Sequence, residues 1–331
     1  MNDEIFDIVS IGDSTIDVFL DIDPQDTESV CKLDEQQCLI AFGYGSKVPV
    51  KAMHRVPGVG NAANLSMGIS RLGLKTAIYT VIGDDKDSQE IKQVFEQEGV
   101  DTSLVVMEKN KRSNFSAVLN YSGERTIFVY HEDRTYKLPK METNWLYLSS
   151  VAKDHQGLHD EVLEFVETSK TKLGFNPGSY QLRDGLEKLR PLFEVTEALI
   201  LNREEAHLLV GGDIENIKEL LKKLKDTGPK VVVITDGRGG SFATLDGREV
   251  WHVGIPEETP VVERTGAGDA YSTAFLAATI KGRDLPNAMQ EGTMNSTSVV
   301  QFVGAREGLL TNRGMEEHLE KHLEDVKAKL L

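Results

Sequence analysis

The sequence predicts an α/β fold in which a mostly parallel sheet is covered by helices on both faces. Residues 5–11 form a short apolar run that ends at Gly12, as expected of a buried strand. From Trp145 onward, short apolar strands alternate with helical segments, and this order favours parallel pairing. Two strand-like stretches, at about 17–55 and 104–136, interrupt the alternation early in the chain.

The first helix is predicted after Pro57, where apolar residues recur at helical spacing until Gly73 ends the helix. A strand at 77–82 follows, and then a helix that ends near Gln97. The chain thus returns to a strand–helix order between the two strand-like stretches.

The second strand-like stretch has the pattern of a hairpin. Residues 116–121 alternate between apolar and polar, Ser122-Gly123 is a turn signal, and 126–130 is the predicted return strand. We expect the two stretches to pair into one small sheet that lies as a lid over the ligand crevice.

Short strands and helices alternate through the second half of the chain. The strands are predicted near 145–149, 172–176, 198–201, 231–235, 241–245 and 249–253. The helices are predicted near 158–169, 182–189, 204–210 and 217–226, with three more that begin near 266, 285 and 312.

Composition and charge restrict the classes of function. Of the 331 residues, 40% are hydrophobic and 27% are charged, which is typical of a globular protein. The 37 basic residues against 53 acidic residues give a net charge of −16, which disfavours nucleic acids and anionic membranes as partners. A small anion such as ATP requires only a local positive pocket, and a metal ion can supply part of that charge.

The sequence also favours a cytoplasmic enzyme. Its first residues are acidic and lead directly into a strand, so no signal peptide is predicted. No apolar run approaches the length of a membrane span. The two cysteines, Cys31 and Cys38, fit reduced thiols better than a disulfide framework.

The strongest motif is Thr265-Gly266-Ala267-Gly268-Asp269-Ala270 at the start of an Ala-rich helix. Small residues let backbone N–H groups approach an oxyanion closely, and the helix N-terminus adds partial positive charge. A carboxylate beside this anion pocket could accept the proton of an attacking hydroxyl. The alternative is an ordinary helix start with an acidic first turn.

A second motif follows a buried strand, where Thr235 precedes a run that contains Gly237 and Gly240. Such a strand end is a natural place for a nucleotide phosphate or ribose, although a plain turn has the same pattern. A third motif, which contains Asn202 and Glu205, could hold hydrated Mg²⁺ beside a triphosphate. Its alternative is a capping Asn with an acidic first helical turn.

A fourth motif, from Gly58 to Asn64, matches the dinucleotide fingerprint G-x-G-x-x-A, with Asp84 at a suitable distance. It therefore opens a second hypothesis, an NAD(P)-dependent oxidoreductase. The fingerprint should follow a buried central strand, and residues 52–57 fit one poorly.

Asp17 lies in a fifth motif, Gly12-Asp13-Ser14-Thr15-Ile16-Asp17, after the first strand. Its carboxylate could accept hydrogen bonds from sugar hydroxyls, because ligands of open α/β sheets bind beyond the carboxyl ends of strands. His155 and His159 share helical spacing, and we expect them on a solvated helix face.

In their chain order, these motifs resemble the ribokinase-like sugar kinase family, often called the PfkB family. The similarity covers essentially the whole chain. The segments that carry it are GDSTID, VGNAAN, RLG, IGDD, SGERT, NREE, TDGRGG, ERTGAGDAYSTAF and VGAREGLL.

The resemblance implies one three-layer α/β kinase domain over residues 1–331, with a small β lid formed by about 17–55 and 104–136. It also implies ATP as donor, Mg²⁺ as cofactor and a small-molecule acceptor, and it leaves room for a monovalent cation. An open lid sheet would have unpaired edges, so we expect a homodimer through the lid.

The resemblance assigns roles to individual residues. It implies Asp269 as catalytic base and Gly266, Ala267 and Gly268 as anion hole. Acceptor-binding positions are Asp17, Gly60, Asn61 and Asn64; nucleotide-binding positions are Asn202, Thr235, Gly237 and Gly240; Glu205 is placed near Mg²⁺.

Departures from the family pattern concern the acceptor more than the chemistry. The family often has DTTGAGD, whereas Glu263 and Arg264 precede Thr265 here. Ribokinases carry Asn at the position of Thr15 and Lys at that of Asn61, which argues against ribose as the acceptor. A third hypothesis, a non-catalytic sugar or nucleotide sensor on the same fold, is disfavoured by the retained Asp269.

Overall fold

The computed structural model describes residues 5–23, 28–32, 37–121, 124–256 and 259–331. The strands are β1 (Phe6–Ile11), β2 (Thr15–Ile22), β3 (Glu28–Lys32), β4 (Gln37–Ala41), β5 (Val50–Val59), β6 (Thr76–Tyr79), β7 (Val81–Gly83), β8 (Val106–Glu108), β9 (Asn114–Tyr121), β10 (Glu124–Tyr130), β11 (Thr143–Leu148), β12 (Lys172–Phe175), β13 (Thr196–Asn202), β14 (Val231–Thr235), β15 (Ser241–Thr244), β16 (Trp251–Val253) and β17 (Lys329–Leu330). The helices are α1 (Asn61–Arg71), α2 (Lys86–Gln97), α3 (Gln156–Thr168), α4 (Ser179–Asp184), α5 (Leu186–Val195), α6 (Arg203–Val210), α7 (Ile217–Lys225), α8 (Ala267–Ile280), α9 (Leu285–Val299) and α10 (Asn312–His322).

A nine-stranded sheet forms the centre of the molecule, in the order β17-β16-β15-β14-β13-β12-β11-β1-β6. The strands from β14 to β6 pair in parallel, whereas β14 to β17 pair antiparallel. The predicted mostly parallel sheet is therefore confirmed. Its parallel strands end on one side, which is where ligands of such sheets bind.

Helices cover both faces of this sheet, because alternate residues of each strand point to opposite faces. Val9 and Leu146 belong to one hydrophobic core, with apolar residues of α3, α5, α6 and α7. Ile8 and Tyr147 belong to the other, with residues of α1, α8, α9 and α10. This arrangement is the predicted three-layer architecture.

A second, smaller sheet has the order β10-β9-β2-β5. The predicted hairpin is present as β9 and β10, although the predicted turn at Ser122-Gly123 lies outside the described residues. Ile16 and Val18 anchor this sheet in a third core against α1 and α2. The two strand-like stretches do not form one sheet throughout, because β3 pairs with β4 and β8 pairs with β7.

Three local predictions were wrong. The single strand predicted at 77–82 is divided into β6, in the nine-stranded sheet, and β7, which pairs with β8. The helix predicted near 182–189 is divided into α4 and α5 by Gly185, whose φ of 83° interrupts the helix. His155 and His159 are buried rather than solvated. The His155 ring contacts Asp184 Oδ2 at 2.9 Å and His159 contacts Gln181 at 3.0 Å, so polar partners on α4 compensate their burial.

Across the described ranges, none of the helices has the length and apolar character needed to cross a membrane.

Candidate active site

A cavity of about 250 Å³ lies where β12, β13 and β14 end and α8 begins. It is open at the carboxyl ends of the parallel strands, as expected for this class of sheet. The lining residues are Asn61, Arg125, Asn176, Ile200, Leu201, Asn202, Glu205, Thr235, Arg264, Thr265, Gly266, Ala267, Gly268, Asp269 and Ser272. The structure thus brings together residues from four of the predicted motifs.

The start of α8 has the geometry of an anion-binding site. Gly266 is the N-cap with φ 76°, and a Cβ there would overlap Ala305, so only glycine fits. At Gly268 a Cβ would meet nothing within 4 Å. The N–H groups of Gly268 and Asp269 donate to no acceptor in the described ranges, so they remain available to an anion.

Asp269 lies in the first turn of this helix and lines the cavity. Asn64 Nδ2 donates a hydrogen bond of 2.7 Å to Asp269 Oδ2. Burial raises the pKa of Asp269 to about 6, while hydrogen bonds from Asn64 and Asn61 act in the opposite direction. At neutral pH the group is therefore mostly a carboxylate that is close to its protonation range, as suits a general base.

Asn202 and Glu205 form a capping box at the start of α6. Asn202 Oδ1 accepts from the Glu205 N–H at 2.8 Å, and Glu205 Oε2 accepts from the Asn202 N–H at 2.9 Å. These residues therefore do cap α6, as the alternative prediction stated, and both also line the cavity. Burial raises the pKa of Glu205, and the nearby charges of Glu204 and Asp269 raise it further.

The part of the cavity lined by Glu205 and Asp269 fits a magnesium ion. Two half-buried carboxylates, Glu205 and Asp269, line one cavity and repel each other, and a cation between them would relieve that repulsion. In the described part of the chain there is no group of three or more His, Cys, Asp or Glu that could hold a metal. Mg²⁺ commonly uses one or two carboxylates, with phosphates and water as its other ligands.

The three residues of the predicted nucleotide loop are separated by the structure. Thr235 lines the cavity at α8. Gly237 lines a neighbouring, more apolar cavity of about 310 Å³. Gly240 lines neither; its φ of 84° and the overlap of a Cβ with the Val253 carbonyl make it a turn glycine.

The predicted acceptor-binding residues also have different positions. Asn61 lines the cavity and Asn64 contacts Asp269. Gly60 has φ 128°, and its Cβ would lie 2.5 Å from the Asp13 carbonyl oxygen, so it permits a close backbone approach. Asp17, on β2, is outside the lining of this cavity.

Two of the predicted acceptor-binding residues each have a buried oxygen without a hydrogen-bond partner among the described residues. These oxygens are Asp17 Oδ1 and Asn64 Oδ1. Burial raises the pKa of Asp17, while a hydrogen bond with Ser116 and the charges of Arg125 and Arg306 lower it. Unpaired buried acceptors are unfavourable, and a hydroxyl-bearing ligand would satisfy them.

Sequence reasoning missed several lining residues. Arg125 belongs to the SGERT segment of the resemblance, and Arg264 is one of the departures from the family pattern. Asn176 is the last residue of a predicted strand and belongs to none of the motifs. Ser296, Thr297 and Val300 line the apolar cavity. No sequence signal marks this last group, because these residues of α9 and its C-cap belong to an ordinary helical pattern.

The dinucleotide fingerprint lacks its structural context. The strand before Gly60 is β5, which belongs to the smaller sheet and pairs antiparallel with β2. A Rossmann fingerprint connects a strand of the parallel sheet to its helix. Here the helix start after Gly60 instead supplies Asn61 and Asn64 to Asp269.

Comparison with known proteins defines the class to which this site belongs. Residues 27–312 match the pfkB family of carbohydrate kinases, and the chain belongs to this family. The resemblance expected from the motifs is confirmed.

Individual relatives are sugar and nucleoside kinases. The chain is 28% identical over 253 residues to a sugar kinase of Archaeoglobus fulgidus, with 73% of this chain and 98% of the relative covered. It is 26% identical to a 5-dehydro-2-deoxygluconokinase of Shouchella clausii, with 76% and 83% covered. A nucleoside kinase of Methanothermobacter thermautotrophicus is also 26% identical, with 80% and 83% covered.

Solved structures share the fold. Arabidopsis thaliana ribokinase, complexed with ribose and ATP, superposes with a TM-score of 0.78 at 17% identity, covering 96% of this chain and 99% of that one. The nucleoside kinase of Methanocaldococcus jannaschii superposes with a TM-score of 0.75 at 18% identity and the same coverage.

Proposed function

We propose that this protein is an ATP-dependent kinase that phosphorylates a hydroxyl group of a sugar, a sugar derivative or a nucleoside. Membership of a carbohydrate kinase family supports the reaction type. The observation that carries the proposal is the position of Asp269, which shares one cavity with unpaired N–H groups at the start of α8.

Asp269 is the base in the proposed mechanism. The hydroxyl of the acceptor gives its proton to the Asp269 carboxylate, and its oxygen bonds to the γ-phosphorus of ATP. The bond from that phosphorus to the bridging oxygen of ADP breaks, and ADP leaves with the electron pair. Asn64 holds the carboxylate in place through its 2.7 Å hydrogen bond.

The amides of Gly266, Ala267 and Gly268 form the anion hole. The N–H groups of Gly268 and Asp269, which have no partner among the described residues, would stabilise the negative charge that develops on the transferred phosphoryl group. The missing side chain of Gly268 leaves room for that group. Glu205, with the capped Asn202 beside it, would hold Mg²⁺ together with the nucleotide phosphates. When bound, the ion neutralises phosphate charge.

The nucleotide is proposed to lie along the cavities that meet at α8. The apolar cavity lined by Gly237, Pro256 and Val300 would take the base, and Thr235 would lie beside the phosphates. Gly240 contributes by shaping the turn. A monovalent cation near the anion hole is part of the same hypothesis.

The smaller sheet is proposed to act as a lid on the acceptor side of a single kinase domain. It carries Asp17 on β2 and Arg125 on β10. Arg125 Nη1 donates to Glu263 Oε1 at 2.6 Å, which connects this sheet to the segment before α8. Closure of such a lid would exclude water from the transferred phosphate.

Homodimerisation through this lid is a further part of the proposal. At its open edge, β10 exposes Ile127, Phe128, Val129 and Tyr130, each at 46–59%. Unpaired apolar edges favour association. In sedimentation velocity we expect a dimer that Phe128→Glu dissociates and that the matched surface change Leu323→Glu leaves intact. A monomeric wild-type protein would contradict this part.

The direct test is ADP release with ATP and Mg²⁺ across sugars, sugar acids, sugar phosphates and nucleosides. We expect turnover of at least one acceptor, and loss of that turnover in Asp269→Asn. ATP and Mg²⁺ binding without turnover of any acceptor would favour a sensor. NADPH binding without ATP binding would favour the oxidoreductase. We place the enzyme in the cytoplasm, where ATP is available.

A further inference from the structure

Three arginines surround a third cavity, of about 590 Å³, beside the proposed active site. Arg125 comes from β10, Arg238 from the turn after β14, and Arg264 from the segment before α8. Glu263 is the one acidic residue of the described lining, so the lining carries three positive charges and one negative charge, a net +2. The whole chain has a net charge of −16, which makes this local excess of positive charge distinctive.

Arg264 borders all three cavities. It lines the arginine cavity, the cavity at the start of α8 and the apolar cavity proposed for the base. Arg125 borders the first two and Arg238 the first and third. A ligand that extends from the apolar cavity to Asp269 would therefore pass Arg264.

The arginines differ in their partners. Arg125 is neutralised by Glu263, which also accepts from the Gly304 N–H at 2.7 Å and from the Thr265 hydroxyl. Glu263 is thereby occupied. The side chains of Arg264 and Arg238 form no ion pair and no hydrogen bond with any residue in the described ranges. Arg264 and Arg238 thus bring two exposed positive charges without an acidic partner to one cavity, where an anion can bind them.

We propose that Arg264 binds the phosphate chain of the nucleotide donor, an inference that rests on the proposed kinase function. Guanidinium groups bind phosphates through paired, charge-assisted hydrogen bonds. Arg264 lies between the apolar cavity and the amides of Gly266 to Gly268, where the β- and γ-phosphates of a bound nucleotide would run. It stands at a position where the related DTTGAGD pattern has an uncharged threonine.

The test compares charged and uncharged ligands of the same cavity. Affinities of ATP, ADP and adenosine are measured calorimetrically for the wild type, Arg264→Met and Arg264→Lys. We expect Arg264→Met to weaken ATP and ADP binding by about 10- to 100-fold, as for loss of a charged hydrogen bond. Adenosine affinity should stay within about twofold, and Arg264→Lys should show a smaller loss because it retains the charge.

Arg248→Met is the matched control, because Arg248 is exposed on the β15–β16 turn and lines none of the three cavities. It should bind all three ligands as the wild type does. If Arg264→Met fails to fold, Arg264→Thr, which has the residue of the related pattern, is measured in the same way.

Unchanged ATP and ADP affinities in these variants would overturn the inference. An equal loss of adenosine affinity would also overturn it, because it would show a structural effect. A third contradicting result would be an Arg264→Met protein with a raised KM for an anionic acceptor and an unchanged ADP affinity, because Arg264 would then bind the acceptor. A wild-type protein that binds neither ATP nor ADP and releases no ADP would remove the proposed function itself, a result that is distinct from all of these.

Discussion

Two helices begin at the same cavity, and their N-termini are built in opposite ways. The start of α6 is closed, because Asn202 and Glu205 exchange hydrogen bonds of 2.8 and 2.9 Å with each other's backbone N–H groups. The start of α8 is open, because its N-cap is Gly266 and no side chain caps it. The polarity of both helices is the same, so the difference lies entirely in the residues at their ends.

The comparison shows how one cavity can serve both an anion and a cation. An open start leaves N–H dipoles for an anion, whereas the closed start directs its Glu205 carboxylate at the same space. Two negative groups, Glu205 and Asp269, and one positive helix end then face each other. That arrangement suits a phosphoryl group with its metal better than either ligand alone.

The largest expected effect removes the base at the open helix start. Asp269→Asn should lower turnover by about 10³-fold or more, because no carboxylate remains to accept the proton of the acceptor hydroxyl. ADP affinity, measured calorimetrically, should change little, and Asp226→Asn on the exposed end of α7 is the control. Turnover within tenfold of the wild type would show that Asp269 is not the base.

Substitutions of Gly268 and Gly266, at the same helix start, should affect turnover and stability separately. Gly268→Ala should leave stability to urea unchanged but reduce turnover by about 10- to 100-fold, because its methyl group enters open space where the phosphate would lie. Gly266→Ala should cost about 1–3 kcal/mol of unfolding free energy, through its positive φ and the overlap with Ala305. If Gly268→Ala lowered the unfolding free energy as much as Gly266→Ala does, the space beside Gly268 would not be open, and its assignment to the anion site would be contradicted.

The pH dependence tests the carboxylate in the same place. Since burial raises the pKa of Asp269 to about 6, kcat/KM should fall about tenfold per pH unit below pH 6. The raised pKa also favours folding below pH 3.8, and this contribution is lost as pH rises through about 6. Asp269→Asn should therefore gain stability over the wild type above pH 6, by at most about 3 kcal/mol.

Asp13 requires its own control in that experiment, because burial raises its pKa to about 6 as well. Asp13→Asn should keep the acidic limb of the rate profile, whereas Asp269→Asn should have no activity left to titrate. Loss of the limb in Asp13→Asn would assign the titration to Asp13, between β1 and β2, and not to Asp269.

The smallest effects are expected at the closed start. Glu205→Gln should keep the capping box, because Gln serves equally at that position, while the Mg²⁺ concentration for half-maximal rate rises about tenfold. Asn202→Ala should instead cost about 1 kcal/mol of stability. Magnesium titrations of the rate and urea unfolding of both variants measure these two effects separately. An Asn202→Ala protein of full stability would show that the cap contributes nothing.

The sequence determined much of this molecule locally. The central strands and the helices were evident from hydrophobic periodicity, because burial of a strand or helix face repeats every few residues. The glycine-rich start of α8 was also evident, since it depends on backbone conformation within one turn. The order of motifs was sufficient to indicate the family.

Only the tertiary structure decided how distant residues meet. Asn64 and Asp269 are 205 positions apart, and their hydrogen bond exists because α1 and α8 pack on the same face of the sheet. Arg125, from the smaller sheet, and Arg264, from the segment before α8, line the same cavity for the same reason. Local patterns record burial and backbone preference, whereas contacts of this kind depend on how whole elements pack, and no single segment of the chain contains that information.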